Sequence, residues 1–172
     1  ARRADILEQV KAKCKNAAQH LVLPMDMTDS SRFAELVLKV ESHFGAVDIL
    51  INNAGVSQRA LVKDTILSVD RALLEVDYFG PVALTKTLLP YMLARNSGRL
   101  VAVSSIAGLV ATPYRSSYAA AKHALRAFYD SMRAEIHDSG VRVSVVYPGF
   151  VKTAISLSAL VGDGTTQNKM GD

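Results

Sequence analysis

Several residue types that restrict the class of a protein are rare or absent in this chain. Tryptophan is absent and Cys14 is the single cysteine, so the chain can form neither an internal disulfide nor a cysteine metal cluster. The four histidines lie far apart and lack the spacing of metal ligands, so we expect no metal site. No apolar run reaches the roughly 18 residues of a membrane-spanning helix, so we expect no such segment within this stretch.

Charge and composition are those of an ordinary globular domain. Of the 172 residues, 49% are hydrophobic and 21% are charged, which suits one domain, 1–172. The net charge is +4, but the basic residues are scattered and no basic run carries interleaved aromatics. We therefore expect no nucleic-acid binding, and the basic cluster within residues 2–15 is typical of a solvated helix face.

Apolar periodicity predicts strands and helices that alternate along the chain. Continuous apolar runs predict strands, and apolar stripes spaced three or four residues apart predict helices. This alternation favours an α/β fold with a parallel sheet that is covered on both faces. The predicted strands are 20–24, 47–51, 98–105 and 141–147, and the predicted helices are 4–16, 31–43, 68–95 (interrupted at 80–81 and at 90) and 116–138.

Polar residues follow each predicted strand at its carboxyl end. In parallel α/β sheets, ligands bind beyond the carboxyl ends of the strands. Four polar sets at one edge therefore predict a binding site there. The sets are Asp26, the Asn-Asn-Ala-Gly of 52–55, Ser104 with Ser105, and Pro148 with Gly149.

Three side chains at this edge suit proton transfer. Tyr118 and Lys122 are four residues apart in an alanine-rich helix, which places them on one helix face about one turn apart. The phenol can act as acid or base, the ammonium makes its phenolate easier to form, and the hydroxyl of Ser105 can hold a substrate oxygen. A tyrosine and a lysine at this spacing are common in helices, so the combination with Ser105 is what points to a site.

Taken in order, the motifs NNAG, SS, YxxxK and PG resemble those of the classical short-chain dehydrogenase/reductase family over essentially the whole chain. Residues 78–86 and 159–164 are most similar to the member-seven branch, close to the hydroxysteroid dehydrogenases. The resemblance implies a doubly wound, Rossmann-type sheet. It also implies that Ser105 holds the substrate carbonyl, that Tyr118 exchanges the proton, and that Lys122 binds the nicotinamide ribose and stabilises the phenolate.

The same resemblance implies a nicotinamide cofactor. Arg2 and Arg3 stand where a basic residue marks binding of the 2′-phosphate of NADP, so we expect NADP(H) rather than NAD(H). The alternative is that both are only solvated arginines. The implied cofactor-binding residues are Arg2, Arg3, Asp26, Met27, Asn53, Ala54, Gly55, Tyr118, Lys122, Pro148, Gly149 and Thr153.

One residue departs from the family pattern. Asp77 stands where the family usually has a catalytic asparagine, whose main-chain carbonyl holds a water that links to the lysine. Pro81 has no N–H, so the carbonyl of Asp77 stays free and the backbone role can survive. The carboxylate can pair with Lys122, stabilise its charge or draw it from the ribose. We therefore expect Asp77 to reduce activity without abolishing it.

Parts of the family pattern are missing. The glycine-rich turn TGxxxGxG, which holds the cofactor pyrophosphate, does not occur in the chain. In the family strand order 3-2-1-4-5-6-7, the chain would lack the first two strands and the last, which leaves unpaired sheet edges. The chain begins with Ala-Arg-Arg rather than methionine. We expect either that the protein extends both ways or that this is a truncated product without activity.

These observations favour an oxidoreductase that transfers a hydride between NADP(H) and a carbonyl or secondary alcohol of a lipophilic substrate. The alternative is a catalytically weak or inactive nucleotide-binding or scaffold relative, which Asp77 and the missing turn favour. An unrelated doubly wound protein would require all four motifs to be coincidence. The resemblance further implies a homodimer through helices 68–95 and 116–138 and a mobile substrate loop at 156–172. It implies a cytoplasmic location, or an endoplasmic reticulum or peroxisomal membrane if an anchor precedes Ala1.

Overall fold

Strands and helices alternate along the chain in a computed structural model that describes residues 1–151 and 153–168. The helices and strands are α1 (Ala4–Lys13), α2 (Phe33–Phe44), β1 (Ile49–Asn52), α3 (Leu67–Leu74), a π-helical turn (Glu75–Phe79), α4 (Gly80–Ala94), β2 (Gly98–Val103), α5 (Ser116–Glu135) and β3 (Val141–Val146).

The three described strands form one parallel sheet with β2 in the centre. Leu50 of β1 pairs with Leu100 of β2, and Ala102 of β2 pairs with Val145 of β3. Parallel neighbours need a crossover connection, and helices provide it here. The sheet and its crossovers confirm the predicted α/β fold.

Helices α4 and α5 pack on one face of the sheet and form the main core with it. Leu100 and Ala102 of β2 are fully buried there, together with Met92 of α4 and Tyr129 of α5. Among the described residues, helices cover one face of the three strands, whereas the sequence predicts a sheet covered on both faces. Burial alternates along β2 and β3, and the side chains of Ile49 and Ile51 on β1 are exposed, because the described helices that pack on the strands do so on the opposite face.

The prediction of a strand at 20–24 is wrong. The structure assigns no strand to these residues, although His20 has an extended backbone. A strand exists only when a neighbour supplies hydrogen bonds, and the described sheet contains β1, β2 and β3 only. The backbone beside this segment bonds instead to the start of the chain, where the N–H of Met25 donates to the carbonyl of Ala1 over 2.7 Å.

Two predicted helices differ from the structure. Helix α1 ends at Lys13 rather than at residue 16, and none of its residues is buried. The predicted helix 68–95 is divided by the π-helical turn, in which the N–H of Gly80 donates to the carbonyl of Glu75, five residues earlier. Among the described helices, none combines the length and the apolar character needed to cross a membrane.

Candidate active site

The start of helix α5 places Tyr118 and Lys122. The buried side chain of Gln58 accepts a hydrogen bond from the backbone N–H of Ser117 over 3.0 Å, and so satisfies one of the free donors of the first turn. Val69 and Leu73 of α3 pack with Tyr118 in a second apolar cluster. The Nζ atom of Lys122 lies 5.7 Å from the ring centroid of Tyr118, which confirms the shared helix face.

The ammonium of Lys122 is almost fully enclosed, with 4% of the residue exposed. It donates to the carbonyl of Val103 at the end of β2 over 3.3 Å, and it lies 3.3 Å from Oδ2 of Asp77. A Cβ atom added to Gly55 would lie 3.3 Å from this ammonium. The strand end, the π-helical turn and the 52–55 segment therefore meet at one lysine.

Asp77 is fully buried in the π-helical turn. Its Oδ1 accepts a hydrogen bond from the backbone N–H of Val56 over 2.8 Å. Its Oδ2 lies 3.3 Å from the Nζ atom of Lys122 and has no other polar partner among the described residues. Burial raises the pKa of the Asp77 carboxyl above its usual value, and the charge of Lys122 and the Val56 hydrogen bond only partly oppose this.

Ser105 stands just beyond the end of β2, as predicted. Its extended backbone caps a short 3₁₀ turn (Ile106–Gly108), and its Oγ accepts the N–H of Ala107 over 3.1 Å. The hydroxyl proton remains able to donate to a substrate oxygen, since a hydroxyl is both donor and acceptor. The neighbouring Ser104 is instead structural, because its buried hydroxyl donates to the carbonyl of Lys122 over 3.2 Å.

A cleft of about 870 Å³ lies at the carboxyl ends of the strands. Arg2 at its rim lies 3.4 Å from Asp26, whose pKa the backbone N–H and hydroxyl of Thr28 lower. The structure thus brings together seven of the twelve predicted cofactor residues. The predicted residues that line the cleft are Arg2, Arg3, Asp26, Met27, Asn53, Ala54 and Gly55.

Of the other five predicted cofactor residues, Tyr118 and Lys122 lie on α5 and do not line the cleft, and Pro148, Gly149 and Thr153 follow β3. The carbonyl of Pro148 accepts the N–H of Ile106 over 3.1 Å, which ties this turn to the residue after Ser105. Gly149 and Thr153 are exposed, and none of the three lines the cleft of the described residues. Their role in cofactor binding stays a prediction.

The predicted substrate loop, 156–172, is described only to residue 168, and residues 169–172 lie outside the described part. Leu160 forms backbone hydrogen bonds of 2.8 Å with Ser57 and with Arg59. The N–H of Ile66 donates to the carbonyl of Gly162 over 2.9 Å. The loop therefore packs on the segment that leads into α3, while its mobility stays a prediction.

Three contacts of the site are not predicted by the sequence analysis above. The guanidinium carbon of Arg115 lies 6.0 Å from the ring centroid of Tyr118, so two cations, Arg115 and Lys122, lie near this ring. The carbonyl of Val103 and the backbone N–H of Val56 contribute as main-chain groups. The position of Arg115, three residues before Tyr118, was a signal that helix spacing could have revealed. The two backbone contacts leave no signal in side-chain identity.

The carboxyl edge of the parallel sheet thus carries a serine at the end of β2 and, on α5, a tyrosine–lysine pair close to the wall of a cleft. The chain belongs to the short-chain dehydrogenase/reductase family, since the sequence profile "short chain dehydrogenase" matches residues 1–160. It is 49% identical over 147 residues to dehydrogenase/reductase SDR family member 7B of Rattus norvegicus. The matched region is 86% of this chain and 45% of that relative. It is 43% identical over 176 residues to dehydrogenase/reductase SDR family protein 7-like of Anopheles gambiae. That match covers 99% of this chain and 56% of the relative. The expected member-seven branch is confirmed.

The chain spans about half the length of these curated relatives. Among solved structures, a short-chain dehydrogenase from Streptomyces avermitilis is 34% identical with a TM-score of 0.83, covering 89% of this chain and 57% of that one. ElxO with NADP bound is 27% identical with a TM-score of 0.84, and the match covers 88% of this chain and 62% of ElxO. A Burkholderia phymatum protein in complex with NAD, 24% identical with a TM-score of 0.81 and covering 89% and 54%, shares the fold.

Proposed function

We propose that this chain carries the catalytic core of an NADP(H)-dependent reductase or dehydrogenase, which interconverts a carbonyl and a secondary alcohol on a lipophilic substrate. The observation that supports it most is the packing of Tyr118 and Lys122 on one face of α5, beside Gly55 at the wall of the cleft. Homodimer formation through the two predicted long helices, 68–95 (α3, the π-helical turn and α4) and 116–138 (α5), remains part of the proposal by family resemblance.

The side chains present can move a proton to the substrate oxygen. Tyr118 donates its phenolic proton to the carbonyl oxygen in reduction, and takes it back in oxidation. The hydroxyl of Ser105 donates a hydrogen bond to the same oxygen and stabilises the charge that develops there. Lys122 stabilises the phenolate by its positive charge. The nicotinamide, when bound, supplies or accepts the hydride.

The residues at the cleft suit a dinucleotide. Gly55 lines the cleft, and a Cβ there would lie 3.3 Å from both Lys122 and Asp77, so the glycine leaves room for the ion pair behind the cleft wall. Arg2 and Arg3 at the rim would pair with the 2′-phosphate of NADP, and the side chain of Arg2 is 76% exposed and so able to reach it. ElxO, which is similar in fold and sequence, binds NADP, and this supports the preference for NADP(H).

Apolar side chains near Ser105 support a lipophilic substrate. Ile106, Leu109 and Val110 follow Ser105 directly and are exposed, as is Phe150 after β3, with 91% of its surface open. Exposed apolar groups that cluster beside a reactive centre are typical of a surface that binds an apolar ligand. The hydrogen bond between Ile106 and Pro148 holds the two segments next to each other.

The first test is NADPH oxidation by the full-length protein against a panel of aldehydes and ketones of increasing chain length. We expect turnover that rises with apolar chain length and that falls about a hundredfold or more in Tyr118→Phe, because the phenolic proton is lost. Tyr114→Phe is the matched control, since Tyr114 is exposed on the loop before α5. Turnover that survives in Tyr118→Phe would contradict the assigned acid, and absence of turnover with retained NADPH binding would favour the scaffold alternative.

A further inference from the structure

The ammonium of Lys122 lies beneath the wall of the cleft rather than in it. Asn53, Ala54 and Gly55 line the cleft, whereas Lys122 is not among the described residues that do so. The lysine is 4% exposed, and its contacts to the carbonyl of Val103 and to Asp77 point into the protein. A lysine in this position has to move toward the cleft before it can hold a ligand there.

Asp77 is the group that can control this movement. Two or three backbone hydrogen bonds would stabilise the charged form of a carboxylate, but Asp77 accepts one such bond, from Val56, and its Oδ2 contacts the Lys122 ammonium. Such a carboxylate is poorly solvated, so proton uptake is favoured, in line with the raised pKa of Asp77.

Few charged or titratable side chains of the described residues face Asp77. Lys122 on α5 is the charged group that acts on it. Tyr118, also on α5, is the titratable side chain on the other side of that ammonium. Glu75 on the same π-helical turn is exposed, and the packed backbone of Val56 and Val103 contributes a neutral donor and a neutral acceptor.

We infer that Asp77 is a positioning residue that withholds Lys122 from the cofactor cleft while its carboxyl is ionised, and releases the lysine when the carboxyl is protonated. Protonation removes the opposite charge 3.3 Å from the ammonium, so one of its two inward contacts is lost. The adjacent open volume is the cleft beyond Gly55. The inference rests on the proposed function, because it assumes that a cofactor occupies this cleft.

The main experiment measures NADPH affinity of the full-length protein by fluorescence across a series of pH values from acidic to mildly alkaline. Wild type is compared with Asp77→Asn, which keeps the shape and removes the charge, and with Glu75→Gln as the matched control. The ratio of the two dissociation constants, wild type over Asp77→Asn, should rise severalfold with pH, because the carboxylate that competes for Lys122 forms as the pH rises. Glu75→Gln should follow wild type.

Two results would overturn the inference. One is an Asp77→Asn protein that binds NADPH no better than wild type at any pH of the series. The other is the same pH dependence of affinity in both proteins. If Asp77→Asn does not fold, Asp77→Ser provides the same comparison, because its hydroxyl can still accept from Val56 without carrying a charge. Failure of every form to bind NADPH also counts against the inference, since release of the lysine would then give no site.

A second readout needs no cofactor. The folded-state pKa of Asp77 is raised, so its contribution to stability is complete below the usual carboxyl pKa of 3.8 and is lost as pH rises through the folded value. Urea unfolding should therefore show that wild type loses stability relative to Asp77→Asn as the pH rises. If wild type loses stability in this way but the protein turns over no carbonyl, the inference stands and the proposed reaction is refuted. Turnover of a carbonyl, with the same pH dependence of unfolding in wild type and Asp77→Asn, would refute the inference and leave the proposed reaction standing.

Discussion

Gly55 shows at the scale of a single residue how closely the site is packed. Its missing side chain leaves room for the carboxylate of Asp77 and the ammonium of Lys122, each of which would be 3.3 Å from an added Cβ. Contacts this short force neighbouring atoms to move. The sequence suggested only that small residues here admit a flat ligand, whereas the structure shows that the glycine also makes space for the ion pair.

Gly55→Ala should destabilise the protein by about 1–3 kcal/mol, because the added methyl overpacks a filled site. It should also weaken NADPH binding by displacing Lys122. Urea unfolding and fluorescence titration measure the two effects. Gly149→Ala is the control for unfolding, since its Cβ would lie at an ordinary contact distance of 3.4 Å from Ile106 Cδ1. Wild-type stability in Gly55→Ala would show that the ion pair adjusts without cost.

The π-helical turn between α3 and α4 is the feature that matters most at the scale of an element. Pro81, at the start of α4, cannot donate to the carbonyl of Asp77 four residues earlier. The structure shows the five-residue hydrogen bond between Gly80 and Glu75 just before it. π-Helical turns of this kind occur frequently at functional sites, and this one points the carboxyl of Asp77 at α5.

Pro81→Ala should restore an ordinary helical hydrogen bond from residue 81 to the carbonyl of Asp77, because alanine has the missing N–H. Hydrogen exchange followed by NMR should show this new amide as protected, and the pH dependence of unfolding assigned to Asp77 should become smaller. Pro90→Ala is the control, because Pro90 is exposed within α4 and distant in sequence from the turn. Fast exchange at residue 81 would mean that packing, rather than the proline, sets the π-helical turn.

Polar contacts join the sheet to its helices at the scale of the whole molecule. The buried Nδ2 of Asn52 at the end of β1 donates to Thr85 of α4 over 2.9 Å and to the hydroxyl of Tyr129 of α5 over 2.6 Å. Thr85 and Tyr129 are themselves 2.6 Å apart. A buried network that is satisfied in this way fixes the relative positions of its elements, and these three elements hold the cleft wall and the tyrosine–lysine pair.

Tyr129→Phe should lower the free energy of unfolding by about 1–2 kcal/mol, since the bond between Asn52 and Thr85 survives while two others are lost. Burial raises the pKa of Tyr129 above 10.0. Its contribution is therefore complete below the usual tyrosine pKa and is lost as pH rises through the folded value, and Tyr129→Phe should lack this alkaline loss. Urea unfolding at neutral and alkaline pH checks both expectations.

Tyr91→Phe is the control for this change, because Tyr91 is 39% exposed on α4. It should alter the unfolding free energy by less than about 0.5 kcal/mol. An equal effect of the two substitutions would show that the buried network contributes no more than a surface hydroxyl does.

The sequence alone determined the α/β class, the parallel order of alternating elements and the positions of Ser105, Tyr118 and Lys122. These follow from apolar periodicity and from the fixed rise of a helix, both of which are local properties. It also indicated that Asp77 and Lys122 could pair, because family resemblance placed both residues near one site.

Only the tertiary structure decided whether residues 20–24 form a strand, which faces of the sheet are covered, and how Lys122 is held. A strand and a covered face both require partners distant in sequence. Lys122 is held by the main-chain carbonyl of Val103, and its partner Asp77 by the main-chain N–H of Val56, groups that no particular side chain announces. The raised pKa of Asp77 likewise depends on burial by the whole fold, because desolvation is set by the surrounding packing rather than by the residue itself.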